Sequence, residues 1–182
     1  MDKTRKMVFT GLCIALGVVL PLAFHTIPNA GSIFLPMHIP VLLCGLLCGP
    51  LYGLICGAAA PLLSSLITGM PPMAILPGML CELAVYGLIT GVLIGVIPAK
   101  NRLVSIYCAL IGAMLAGRIV SGLLNALIFR AGKYSLQMWL TAGFVTAVPG
   151  IVIQLIAIPV IVTALGKAGL SNAPQKAEAK NG

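Results

Sequence analysis

Acidic residues are almost missing from this chain: Asp2, Glu82 and Glu178 are the only three in 182 residues. Charge of either sign is scarce, at 8% of residues against about 25% in an average soluble domain. A surface in contact with water needs charge to cover it, so a soluble fold is excluded. Disorder is excluded for the opposite reason. Disordered chains lack the apolar residues to build a core, whereas 60% of this one is apolar and its mean hydropathy is +1.13. Membrane is the class that remains. Strands of an outer-membrane barrel alternate apolar and polar residues, while these segments are apolar all round. The expected fold is an all-α membrane protein.

Catalytic machinery is missing as well. No G-x-x-x-x-G-K-[ST] loop occurs, since Gly166-Lys167 continues as Ala168-Gly169, so the chain does not itself hydrolyse ATP. There is no H-E-x-x-H zinc motif, and Glu82 has no second carboxylate inside the apolar segments. An intramembrane hydrolase is therefore a poor fit, and no metal or cofactor is expected. No inverted repeat of the kind that builds secondary transporters is visible. The net charge of +8 does not signal nucleic acid, which needs a clustered basic face; here the cations sit at the chain ends and in short loops. The six cysteines, Cys13, Cys44, Cys48, Cys56, Cys81 and Cys108, lie in apolar helices and read as small buried hydrophobes. Cys44-x-x-x-Cys48 shares a helix face, but no charged or His partner stands nearby in sequence to make it a metal site.

A membrane-spanning helix needs about 20 apolar residues. The first expected helix runs from Met7 to about Phe24; the residues after it offer no signal-peptide cleavage site. Leu35 to Thr68 is too long for one span at roughly 51 Å and short for two. Gly49-Pro50 divides it, because Gly suits a helix end and Pro the first position of the next. The result is a short second helix, Met37 to Cys48, and a third, Pro50 to Thr68. A dozen residues rise only about 18 Å, so non-helical chain must sit at membrane depth. Such chain is tolerated only against protein or a wet cavity, and His25 to Pro36 is the expected segment. After a turn at Gly69-Met70-Pro71-Pro72, helices are expected over Pro77–Ile97, Leu103–Phe129 and Trp139–Leu165, the last bent at Pro149 and Pro159. Residues 1–166 form the membrane domain, and residues 167–182 a polar, disordered tail.

Six helices put both termini on one side. Lys3, Arg5, Lys6, Lys100, Arg102, Lys167, Lys176 and Lys180 fall on that side, against Arg130 and Lys133 on the other. The positive-inside rule then assigns both termini to the cytoplasm and leaves Tyr134 and Trp139 at the outer interface.

Small residues recur every four positions at Gly45, Gly49, Gly53 and Gly57, and again at Gly87, Gly91 and Gly95. Ala113-x-x-x-Gly117 and Gly11-x-x-x-Ala15 repeat the spacing. Residues four apart share a helix face, and small ones let backbones approach closely in lipid. Internal packing is the ordinary use of such a face; Gly11 and Ala15 can equally be offered to another subunit.

Only Glu82 and Arg118 are ionisable groups well inside an apolar segment, which makes each a functional hypothesis by default. Counted from the helix ends, they lie roughly 8 and 17 Å below the outer edge. Either they neutralise each other or they face a cavity and hold a polar ligand. Ser121 and Asn125 share the Arg118 face, Tyr86 lies one turn below Glu82, and Gln154 brings a polar group from the sixth helix. His38 and Asn29 are placed to close the site from the first outer segment. An apolar pocket with a few fixed polar contacts is the usual form of a small-molecule site, although each residue serves equally as an interhelical hydrogen-bonding group. A pocket without an engine points to a binding subunit driven by partners. The alternative is a self-sufficient channel or proton-coupled carrier using Glu82.

Several of these segments together resemble the substrate-binding S component of energy-coupling-factor (ECF) vitamin importers, over essentially all of residues 5–167. The resemblance is carried by Gly11-x-x-x-Ala15, Leu35-Pro36-Met37-His38-Ile39-Pro40, Cys48-Gly49-Pro50-Leu51-Tyr52-Gly53, Gly69-Met70-Pro71-Pro72 and Glu82-Leu83-Ala84-Val85-Tyr86-Gly87. It implies a six-helix protein of a prokaryotic cell membrane whose vitamin-like ligand enters from outside and sits among the last three helices. It also implies partners: a transmembrane T subunit that meets an A-x-x-x-A pair on the first helix, and two cytoplasmic ATPases. Gly11 replaces the first Ala of that pair and keeps it small. Arg118 favours an anionic or strongly polar vitamin, with pantothenate preferred; cobalamin, folate, a pyridoxal-type vitamin and a queuosine precursor stay open.

Overall fold

The computed structural model describes residues 2–23, 29–97, 101–132 and 134–168. Among them every regular element is a helix: α1 (Lys3–Ala23), α2 (Ala30–Phe34), α3 (His38–Cys48), α4 (Pro50–Thr68), α5 (Leu76–Val96), α6 (Arg102–Leu124), α7 (Leu136–Leu140) and α8 (Val148–Lys167). Wide π-helical turns extend α6 over Asn125–Phe129 and α7 over Thr141–Val145. Six stretches are long and apolar enough to cross a membrane, with Gly31–Cys48 (α2 and α3 together) counting as one. The chain is a multi-pass, all-α membrane protein. His25, Pro98, Lys100, Lys133 and the tail from residue 169, with the disorder expected of it, lie outside the described residues.

Pro50 opens α4 and Gly49 ends α3 at a φ of 97°, a value that only glycine adopts without strain. Two expectations need correction. The segment before α3 is not wholly non-helical, because Ala30–Phe34 forms a short helix. Among the described residues the non-helical chain leading into α3 is Leu35–Met37, all three buried, where the Leu35 N–H reaches the Gly31 carbonyl at 3.2 Å and the His38 N–H reaches the Leu35 carbonyl at 3.1 Å. Nor is the sixth span one bent helix from Trp139. The chain breaks at Thr146–Ala147, and Pro149 sits in the first turn of α8, where its missing N–H costs nothing. It starts a helix instead of bending one.

In the bundle, α5 lies between α4 and α6, α3 crosses α4 and α5, and α1 packs on α3 and α4, while α8 touches α2, α3 and α6. Apolar side chains gain little from meeting each other in lipid, so close packing must hold these helices. At Gly45, Gly53, Gly57 and Gly87 the facing backbones are in direct contact: a methyl group on Gly57 would strike the backbone of Leu83, and one on Gly87 that of Gly53. The six-span order brings the starts of α1, α4 and α6 and the end of α8 to one end of the bundle. There Lys6 lies 5.8 Å from the centre of the Tyr52 ring, and Gly166 packs on the Arg102 guanidinium. Every described cation except Arg118 and Arg130 belongs to that end.

Cys13, Cys44, Cys48 and Cys56 are buried where α1, α3 and α4 meet, and the Cys44 thiol donates to the Tyr52 carbonyl at 3.4 Å. Cys108 departs from the expectation, being exposed on the outer face of α6. No group of three or more metal-ligating side chains occurs among the described residues.

Overpacking a close contact costs about 1–3 kcal/mol. Gly87→Ala is expected to lower the melting temperature of the purified protein by that amount of stability. Gly95→Ala, where nothing lies within 4 Å, should leave it unchanged or slightly raised.

Candidate ligand site

At the end opposite the basic one, the helices splay around a cavity of about 520 Å³, within the range of small-molecule sites. Its wall combines the last turn of α1, the stretch from Asn29 to His38, the turn after α4, the first two turns of α5, the last two of α6, and the π turn after α7. The turn after α4 is fixed from below. Ser64 Oγ donates to the Met70 carbonyl at 2.7 Å and Ser65 Oγ to the Pro71 carbonyl at 2.9 Å. Leu35, in the opposite wall, holds a left-handed φ of 50°, a conformation that costs a non-glycine residue of order 1–3 kcal/mol and clusters at ligand sites.

Of the candidate residues, Asn29, His38, Glu82, Arg118, Ser121 and Asn125 line this one cavity. Glu82 and Arg118 do not pair: among the described residues the Glu82 carboxylate has other neighbours. Ser121 Oγ donates to Glu82 Oε2 at 3.1 Å, and His38 Nε2 stands 3.9 Å from Oε1. Asn125 Nδ2 donates to the Ser121 carbonyl at 2.8 Å, and its side chain fills the space that Gly78 leaves on α5.

Arg118 is 4% exposed. Its guanidinium lies 5.3 Å from the centre of the Phe144 ring, and its Nε finds no acceptor among the described residues. Trp139 braces the same turn of α6 from outside, since its Nε1 donates to the Arg118 carbonyl at 2.9 Å while its ring meets Phe144 edge-on.

Tyr86 and Gln154 are placed differently from the expectation. Both are fully buried and neither reaches the cavity wall. Tyr86 packs edge-on beneath His38 and fills the groove that Gly117 leaves in α6. Its hydroxyl, the Gln154 amide and His38 Nδ1 have no hydrogen-bond partner among the described residues.

Trp139 and Tyr134 were legible only as interface anchors, yet both line the cavity, and Phe144 carried no signal at all. A 3.6-residue period puts Trp139 and Phe144 on different faces; the wider π turn over Thr141–Val145 brings them together, and such turns gather at functional sites. Partial burial and the Glu82 carboxylate push the Tyr134 phenol above its ordinary range, with Arg130 acting against them. It remains a neutral donor at the rim.

A hydrogen bond to a charged group is worth about 1.5–3 kcal/mol. Ser121→Ala removes a hydroxyl that donates to the Glu82 carboxylate, and thermal melting should register a loss in that range.

The sequence model of the ECF transporter substrate-specific component matches residues 5–162. No curated protein and no solved structure matches the chain. With the match covering all but the ends of the chain, and a bundle of six apolar spans opening into a polar-lined cavity, the chain belongs to the substrate-specific S components of ECF transporters, the membrane-embedded substrate-binding subunits of those transporters.

Proposed function

We propose that this S component captures an anionic or strongly polar vitamin-like molecule from outside a prokaryotic cell, in the cavity between α5 and α6. The observation that carries the reading is Arg118: a buried guanidinium, stacked on Phe144, on the wall of a cavity of about 520 Å³, with no carboxylate within 4 Å among the described residues. A buried charge is costly unless something pairs with it, and an anionic ligand supplies that pairing. Glu82, Ser121, Asn125, His38 and Asn29 complete the polar wall. Tyr86 and Gln154 support it from behind without touching the ligand. Pantothenate, a vitamin carboxylate, is the first ligand to test.

The positive-inside rule supports an orientation with the basic end and both termini cytoplasmic, so that the cavity opens outward. Partners then supply the energy: a transmembrane T subunit and two cytoplasmic ATPases. Gly11 and Ala15 are exposed and α1 has the least buried of the six spans. That leaves a small-residue face free for a neighbouring helix.

Ligand binding to the purified chain tests the site. One compound of a vitamin panel should raise the melting temperature, and Arg118→Ala should weaken its binding about 10- to 100-fold, the equivalent of one lost charge-assisted contact. Unchanged affinity in the variant would remove Arg118 from the site.

A further inference from the structure

A second hollow, separate from the ligand cavity, lies between α6 and α7: a groove of about 270 Å³. Gly122 and Ala126, four residues apart on α6, form its floor, since residues at that spacing share a helix face and these two carry almost no side chain. Ile119 and Leu123 raise the α6 bank, and Leu136 and Trp139 the α7 bank. Ile119, Leu123 and Leu136 are exposed. On α6, which belongs to a span apolar enough to cross a membrane, such exposure means contact with hydrocarbon. Trp139 and Tyr134 line both the groove and the ligand cavity, so the two hollows share that wall.

Polar groups meet the groove where the chain passes from α6 to α7. Tyr134 and Ser135 line it there. Ser135 Oγ accepts the Met138 N–H at 3.2 Å, which leaves its own hydrogen free to donate. Arg130, half-buried, stands close enough to Tyr134 to act on its phenol and makes no ion pair among the described residues. The groove is thus apolar along α6 and rich in donors, with one unpaired cation nearby, at the connection.

We propose that this groove is a binding site for one phospholipid of the leaflet at the cavity's end of the bundle. An acyl chain lies over Gly122 and Ala126, and the phosphate meets Arg130, Tyr134 and Ser135. A guanidinium and two hydroxyls are the donors that a phosphate takes up best. A second copy of this chain would offer the groove an apolar face, but it has no acidic residue to bring to Arg130 except Asp2, Glu82 and Glu178, none of them on an exposed part of a span. The bound lipid backs the same indole that donates to the Arg118 carbonyl, so its presence is felt at the ligand wall.

Trp139 is the only tryptophan in the chain, so its fluorescence reads the groove directly. The purified full-length protein in maltoside detergent is titrated with phosphatidylglycerol carrying brominated acyl chains, which quench indole emission on contact. A diacylglycerol with the same chains and no phosphate serves as the comparison. The expected result is saturable quenching by the phospholipid, with affinity about tenfold higher than for the diacylglycerol. Arg130→Gln should abolish that preference. Ala126→Phe fills the floor and should weaken both lipids; Leu136→Ser, at an exposed position, should do so to a smaller extent even if Ala126→Phe fails to fold. Equal affinity for the two lipids overturns the phosphate contact and with it the phospholipid. Quenching that never saturates and ignores both groove variants overturns the site, as does an absence of quenching, whether the protein is then a monomer or a dimer with the groove covered by a second copy.

Discussion

Lipid offers the helices of this protein no hydrophobic reason to associate, so contact between backbones has to do so. Gly45, Gly53, Gly57 and Gly87 bring α3, α4 and α5 close enough that no side chain fits between them. This contact fixes α5 rigidly, and α5 carries Glu82 on the cavity side. From α6, Gly117 performs a similar service one layer out, accepting the Tyr86 ring into its groove. The polar wall rests on a scaffold whose rotation about α5 is set by glycine. A bulky residue at any of these points would turn Glu82 relative to Ser121.

Above that scaffold, the bundle holds its expensive groups where the helices splay. Glu82 is tied to Ser121 and Arg118 is laid on Phe144, each on a different helix and neither on the other. An ion pair would neutralise both and leave the cavity without a grip on anything. Separation keeps both charges available at the wall, at the cost of leaving each incompletely paired. Leu35, in its left-handed conformation on the same wall, adds local strain at the cavity. Such local departures from good packing are expected at ligand sites.

Much of the fold was legible because glycine and proline punctuate it. Gly49-Pro50 divides α3 from α4, and Pro71-Pro72 precedes α5, as their backbone preferences require. Proline misled at residue 149, where the same ring that bends a helix instead begins one; sequence alone does not distinguish the two when the preceding run is equally apolar. Glu82 and Arg118 stood out because ionisable groups are so rare in these spans. Their partners did not stand out. Helical spacing places Arg118, Ser121 and Asn125 on one face, but it says nothing of which of them meets Glu82 across the interface. The aromatic bracket of Trp139 and Phe144 was invisible for a different reason: a π turn has a period that no α-helical pattern anticipates.

A chain with a binding cavity and no nucleotide motif should hold its ligand without moving it. Reconstitution into liposomes tests this most directly, comparing uptake of the bound ligand by this chain alone with uptake by the chain plus a T subunit, two ATPases and ATP. The account predicts binding in both preparations and accumulation only in the second. Accumulation by the chain alone, abolished by Glu82→Gln, would contradict it and establish a self-sufficient carrier.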